Sequence, residues 1–219
     1  MRVVRGNVLP VAITLMCLAF GIWAYPRMAE RVPTHWNFRG EVDGYSGKTF
    51  AVFFFPALTL ALYALFLYLP EIDPRKASYK QFEGTYRLIT TAIIMFMNGI
   101  YLIIIMAGLG YLLNVGVLVR LGISLIVLLI GDQLTKVRPN WFLGIRTPWT
   151  LSDEENWRKT HQFGSKTMVL GAILSLATLP FHVPLAAVMH IGLIMAAALM
   201  PVLYSYILFR KSHNGPSKT

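Results

Sequence analysis

Apolar residues in this chain fall in long runs, with few polar positions to break them. A helix needs about 20 apolar residues to cross a hydrocarbon core of ~30 Å. Asn7 to Tyr25 is one such run, ended by Pro26, and Phe50 to Leu69 is a second, closed by Pro70. Leu88 to Ile130 is too long for one helix, and Gly108, Gly110, Asn114 and Gly116 near its middle predict a tight hairpin between two helices. Thr167 to Val183 and Leu185 to Phe209 follow, with Pro180 and Pro184 bracketing their junction. The pattern predicts an all-α, polytopic membrane helical bundle of six transmembrane helices. It adds a short ordered extracytoplasmic loop and an interfacial helix on the cytoplasmic side. Arg2 and Arg5 give the first run a basic start. Trp23, Tyr25 and Pro26 occupy the place of a cleavage site, so an uncleaved helix is expected.

Composition supports that class. Of 219 residues, 56% are hydrophobic and 14% charged, against about 25% charged in soluble domains. The formal charge of +10 would suggest nucleic acid in a soluble protein. In a membrane protein, basic residues collect in cytoplasmic loops, so no direct nucleic-acid partner is expected and the bilayer is the first partner. With six spans, 15 basic residues fall on the side of the termini and 4 on the other. Both termini are therefore expected in the cytoplasm, with residues 26–49 facing outward and 132–166 inward. Cys17 is the single cysteine, a small packing residue by expectation.

In the outward loop Val32, Thr34, Trp36 and Phe38 alternate with Pro33, His35, Asn37 and Arg39, the period of a short strand. Arg39-Gly40 and Asp43-Gly44 are turn signals, so a small hairpin capping the bundle is expected. Trp36, Phe38 and Tyr45 are its aromatic anchors. Two readings of His35 and Asp43 are open. They form an acid/base set with Lys48, or Asp43 caps a turn while His35 is buried against Trp36. One histidine and no cysteine make no metal site.

In the inward loop Ser152 followed by Glu155 reads as a capping box. Asp153 and Glu154 then sit where the helix dipole favours acids. A short helix is expected from Asp153 to about Phe163, with Trp157 and His161 on one face. Glu154/Arg158 and Glu155/Lys159 pair along it. Pro148 is expected to break any helix before Ser152, leaving Trp141 to Trp149 as an extended or turn-like approach that carries Arg146. This helix either lies at the interface, with Trp149 and Trp157 among headgroups, or helps Arg146, Trp157 and His161 form a polar pocket. Arginine suits bidentate capture of a carboxylate or phosphate.

Arg120, Asn98, Asn114, Ser175, His190 and Asp132 lie in or beside spans. Ionisable groups there are costly and point to function, with Arg120 foremost. Gly-rich phosphate loops, nucleophile elbows and zinc signatures do not occur in the sequence. No catalytic set, cofactor or metal is expected.

Both loops resemble those of the bacterial SdpI family of integral membrane immunity proteins. The outward one carries the pattern of the N-terminal module of unknown function common in that family, at Pro33, His35, Gly40, Glu41, Asp43, Gly44 and Lys48. The inward one carries the family signature at Asn140, Gly144, Arg146, Thr147, Pro148, Trp149, Thr150, Ser152, Trp157 and His161. Gly164-Ser165-Lys166 departs from a glycine pair common in the family and bears on the entry to the fifth helix. The resemblance implies a two-span module over 1–70 and a four-span module over 71–219. It implies immunity to a secreted, membrane-active peptide toxin, and a cytoplasmic transcriptional repressor held at the membrane. The implied binding residues are His35, Trp36, Asn37, Gly40, Asp43 and Lys48 outside. Inside, binding or relay falls to Asn140, Gly144, Arg146, Thr147, Pro148, Trp149, Trp157 and His161. The residues themselves leave two alternatives open. One is a membrane hydrolase using His35/Asp43 or His161/Arg146. The other is a small-solute or ion transporter with Arg120 and His190 on its path.

Overall fold

The computed structural model describes Val4 and residues 6–37, 39–181 and 184–213. Phe38, Arg2, Arg5, Val183 and Lys218 lie outside the described residues. Seven helices are described: α1 (Val8–Ala24), α2 (Lys48–Ile72), α3 (Glu83–Gly108), α4 (Val115–Gln133), α5 (Pro148–Ser152), α6 (Glu154–Leu176) and α7 (Pro184–His213). Between α1 and α2 runs an antiparallel hairpin, β1 (Arg31–Trp36) and β2 (Val42–Gly47). The alternation in β1 sends Val32 into the core while His35 stays exposed. Helices α1, α2 and α3 pack on one another, and the hairpin lies across their end against α3. Helix α6 packs along both α4 and α7, and α3 against α4 joins the two groups. The expected turn between α3 and α4 is present: Gly110 has φ +89°, and Asn114 caps α4 through Val117 N at 3.2 Å.

The fold is an all-α polytopic bundle. Among the described residues, five helices are long and apolar enough to cross a membrane: Val8–Arg27, Lys48–Ile72, Glu83–Gly108, Val115–Lys136 and Pro184–Ser212. The expected count of six is not reached on that measure. The expected fifth span and the expected interfacial helix are one 23-residue helix, α6. Its first half carries Glu154, Glu155, Arg158, Lys159 and Lys166, which dilute the apolar second half. Gly164 lets neighbouring segments pack closely on this helix: a Cβ there would fall 2.5 Å from Ile145 Cδ1 and 3.0 Å from Leu134 Cδ2.

Prolines explain a second difference. Pro70 was expected to close the second helix, yet α2 runs through it to Ile72. A proline inside a helix frees the carbonyl four residues back, and inside a bilayer that oxygen must find another donor. In each of three cases a hydroxyl from a neighbouring helix supplies it. Tyr101 Oη donates to Val52 O (3.2 Å) for Pro56, and Tyr86 Oη to Phe66 O (2.7 Å) for Pro70. Thr167 Oγ1 donates to Ala197 O (3.0 Å) for Pro201. Two of these bonds tie α3 to α2, and one ties α6 to α7. Asn98 Nδ2 donating to Thr14 Oγ1 (3.0 Å) and the Ser124–Ser175 hydroxyl pair (2.7 Å) add polar links across buried faces.

Candidate functional site

Two ends of the bundle carry the residues singled out in the sequence. At the hairpin end, Asn37 builds the turn. Its side-chain oxygen accepts from Arg39 N (2.9 Å) and Glu41 N (3.1 Å), and its amide donates to Glu41 Oε2 (2.9 Å). Gly40 supplies the positive φ of +81° that the reversal needs. His35 Nδ1 pairs with Asp43 Oδ1 at 2.5 Å across the strands. This replaces the expectation that Asp43 caps backbone donors and His35 is buried: the His35 side chain is 72% exposed. Lys48 is not with them; it pairs with Glu30 at 2.7 Å and lies over the Tyr25 ring. Trp36 is half-buried against the α1–α3 core, and Tyr45 is exposed beneath Arg31. The hairpin therefore presents His35, Asp43 and Tyr45 on an ordered scaffold.

At the opposite end, residues 137–153 fold over the start of α6. Asn140 is fully buried; its side chain is bonded within the loop and, through Oδ1, to the Tyr79 hydroxyl (3.3 Å). It donates to Arg138 O (2.8 Å) and Leu143 O (2.9 Å), and it accepts from Phe142 N (2.9 Å) and Leu143 N (2.7 Å). Beside it lies Asp73, 2% exposed, which the sequence reading did not single out. Its carboxylate accepts from Arg75 N (2.7 Å), Tyr79 Oη (2.8 Å) and Trp141 N (2.9 Å). Burial and the bond to Asp73 push the Tyr79 hydroxyl far above its ordinary range, so it stays a donor. The signal for Asp73 was its place: an acid shortly after the apolar run and directly before Pro74, where an Asx turn fits.

Pro148 does not break a helix here; it starts one, at the first position of α5, where its missing N–H costs nothing. The capping box belongs to Thr147 and Thr150, with Thr150 N donating to Thr147 Oγ1 (3.1 Å) and Thr147 N to Thr150 Oγ1 (2.9 Å). Ser152 ends α5, and Asp153 caps α6 by accepting from Glu155 N (2.8 Å). The loop is pinned to α7 by Thr147–Ser205 (3.1 Å), by Asn156 Nδ2 to Ser205 O (2.9 Å), and by Trp149 packed on Tyr206. Glu155, Arg158 and Lys159 form an exposed charged face; Arg158, then Lys159, holds the Glu155 carboxyl down to about 2.

Trp157 and His161 share a face, stacked at 4.1 Å, and both are buried. His161 Nδ1 donates to Trp157 O (2.8 Å), and its Nε2 accepts from Ile145 N (3.2 Å). Trp157 Nε1 donates to Val137 O (3.0 Å). Gly144, at φ +113°, lies directly over the ring: a Cβ would sit 2.5 Å from His161 Nε2. Arg146 does not join this pair; it is exposed and donates to Trp141 O at 2.6 Å. The histidine is thus a neutral, fully bonded clasp.

Burial pushes the His161 ring down from 6.5 to about 4. The neutral form is favoured in the fold, so stability is complete above pH 6.5 and falls as pH drops from 6.5 towards 4, by about 3 kcal/mol. Unfolding in detergent across that range should show the slope, and His161→Gln should flatten it. An unchanged slope in the variant would remove His161 as the cause.

Arg120 and His190 lie on α4 and α7 beneath the hairpin. Among the described residues no cluster of histidine, cysteine or acid is placed to hold a metal.

The SdpI/YfhL protein family model matches residues 136–205, which take in the loop over 137–153, all of α6 and most of α7. A domain of unknown function (DUF1648) matches residues 12–60, which carry the hairpin. The Immunity protein SdpI of Bacillus subtilis (strain 168) is 25% identical over 203 residues, covering 92% of this chain and 95% of that protein. No solved structure matches the chain. The chain is thus similar to the SdpI/YfhL protein family over residues 136–205, to DUF1648 over the hairpin module ahead of it, and to that immunity protein along nearly its whole length.

Proposed function

We propose that this multi-pass membrane protein confers immunity on a bacterial cell against a secreted, membrane-active peptide. One observation carries the reading: similarity to an immunity protein extends over 92% of the chain and takes in both polar ends. With α6 counted as a sixth crossing, the 15-to-4 distribution of basic residues supports termini in the cytoplasm and a hairpin facing outward. The organisation is then two modules, residues 1–70 carrying the hairpin and 71–219 carrying the loop end. In this reading the peptide meets His35, Trp36, Asn37, Gly40, Asp43 and Lys48 first, with exposed Tyr45 beside them. The loop at Asn140–His161 presents Arg146 and the Glu155–Lys159 face to a cytoplasmic regulator. Charged faces of this kind favour a protein partner over lipid tails.

The test is survival. Cells of a sensitive bacterium expressing the protein are challenged with a panel of membrane-active peptides. Wild type is expected to raise the inhibitory concentration of at least one peptide by about tenfold or more, equivalent to 1.4 kcal/mol of capture. Trp36→Ala and the exposed Tyr45→Ala are expected to lose most of it, and Arg146→Ala to keep it. Failure of wild type against every peptide would overturn the proposal. Protection that survives both aromatic changes would move the contact off the hairpin.

A further inference from the structure

Beneath the hairpin lies a cavity of about 600 Å³, within the size range of ligand sites, roughly 300–1,000 Å³. It separates the two helix groups: Ile100 and Ile103 of α3 form one wall, and Ala187 and Ile191 of α7 the facing one. Its mouth is polar, formed by the hairpin at Thr34, Asn37 and Glu41. Its depth holds Arg120 and His190, which lie five and six residues into α4 and α7, about 8 and 9 Å below the helix starts.

These two side chains carry the buried polar atoms that lack a partner, among the described residues: Arg120 Nη1 and His190 Nε2. His190 is 2% exposed. A buried unpaired polar atom costs about 1–3 kcal/mol, so both atoms are costly to leave empty-handed. Their chemistry is opposite. Arg120 is held by Nε donating to Gly116 O (3.1 Å), leaving Nη1–H as a cationic donor. His190 Nδ1 lies 3.4 Å from Ser175 O, an atom that only accepts. The proton therefore sits on Nδ1, and Nε2 is an acceptor. The cavity thus offers one cationic donor and one neutral acceptor at its apolar inner end.

We propose that this cavity binds the C-terminal end of an apolar peptide. The α-carboxylate takes the Arg120 guanidinium, and the last backbone N–H donates to His190 Nε2. A peptide terminus joins an anion to an N–H one residue's breadth away, which a fatty acid lacks. Polarity along the cavity agrees. A peptide carries amide groups along its length for the polar residues Thr34 and Asn37 that line the hairpin side. That this peptide is the one to which the cell is immune rests on the function proposed above.

The test uses the full chain in nanodiscs and a library of apolar tetrapeptides in three forms: free acid, C-terminal amide, and free acid with the last backbone nitrogen methylated. Retained peptides are read by mass spectrometry, with oleate as the lipid probe. Free acids should be enriched about tenfold over amides, and methylation should erase the enrichment. Arg120→Gln should abolish the preference for acids, with Arg120→Lys restoring part of it. His190→Leu should abolish the penalty of methylation. Variants are compared only where their thermal unfolding matches wild type. Equal retention of acid and amide, or no retained peptide, would overturn the site. Displacement by oleate with the same Arg120 dependence would reassign it to lipid. Acid selectivity without protection in the survival test would sink the immunity reading and leave the site standing; the reverse would do the opposite.

Discussion

Gly144→Ala should cost about 3 kcal/mol of folding stability, from about 1–2 for a side chain in the left-handed region and a similar sum for the displaced Ile145–His161 bond. The backbone there has φ +113°, and the added methyl would meet His161 Nε2 at 2.5 Å and the Trp157 ring at 3.3 Å. None of those atoms can retreat. The His161 ring is stacked on Trp157 and bonded at both nitrogens, and Trp157 is fixed through Val137 O. For a chain of this length the melting temperature should fall by about 10 °C. Gly47→Ala is the control, because nothing lies within 4 Å of a Cβ there and its φ of −64° suits any residue. Equal melting temperatures for Gly144→Ala and wild type would show that the loop does not rest on the ring.

The second large effect is expected at Asp73. Its carboxylate collects three donors from three segments: Arg75 N, the Tyr79 hydroxyl and Trp141 N. Asp73→Ala leaves these donors unpaired in a buried site, at about 1–3 kcal/mol each. Relaxation and water entry reduce the sum to about 4 kcal/mol. Asp73→Asn keeps one oxygen but turns the other position into a donor facing donors, so about half that loss is expected. Thermal unfolding of the two variants beside wild type checks both the size and the order. If alanine proved milder than asparagine, the three bonds would not be what holds the loop to the end of α2.

Much of this architecture was legible because lipid imposes long apolar runs and water imposes alternation. The first four helices, the Gly110 turn and the hairpin follow from those two rules. Where the reading failed, satisfaction of polar groups lay far away in sequence. Pro70 reads as a terminator until Tyr86, sixteen residues on, is seen to take the freed Phe66 carbonyl. Helix α6 reads as two elements because charge in its first half masks its continuity. Ser152 and Glu155 meet the capping-box spacing, yet Asp153 one residue later is the better acceptor, and Thr147 with Thr150 forms the box with hydroxyls alone. Arg120 and His190 were visible singly as polar residues in apolar runs. Their common cavity is a tertiary fact, set by α3 and α7 standing apart beneath the hairpin. Asp73 gave the weakest signal, a lone acid between helices.

The unbroken course of α6 has a mechanical consequence. His161, clasped by the loop, and Ser175, whose carbonyl accepts from His190 at the cavity, lie on the same rod. They are separated by 14 residues, about 21 Å of helix. A helix resists compression and stretching, so its two ends shift as one body. A displacement beneath the hairpin would therefore carry with it the charged face at Glu155–Lys159, at the other end of the same helix.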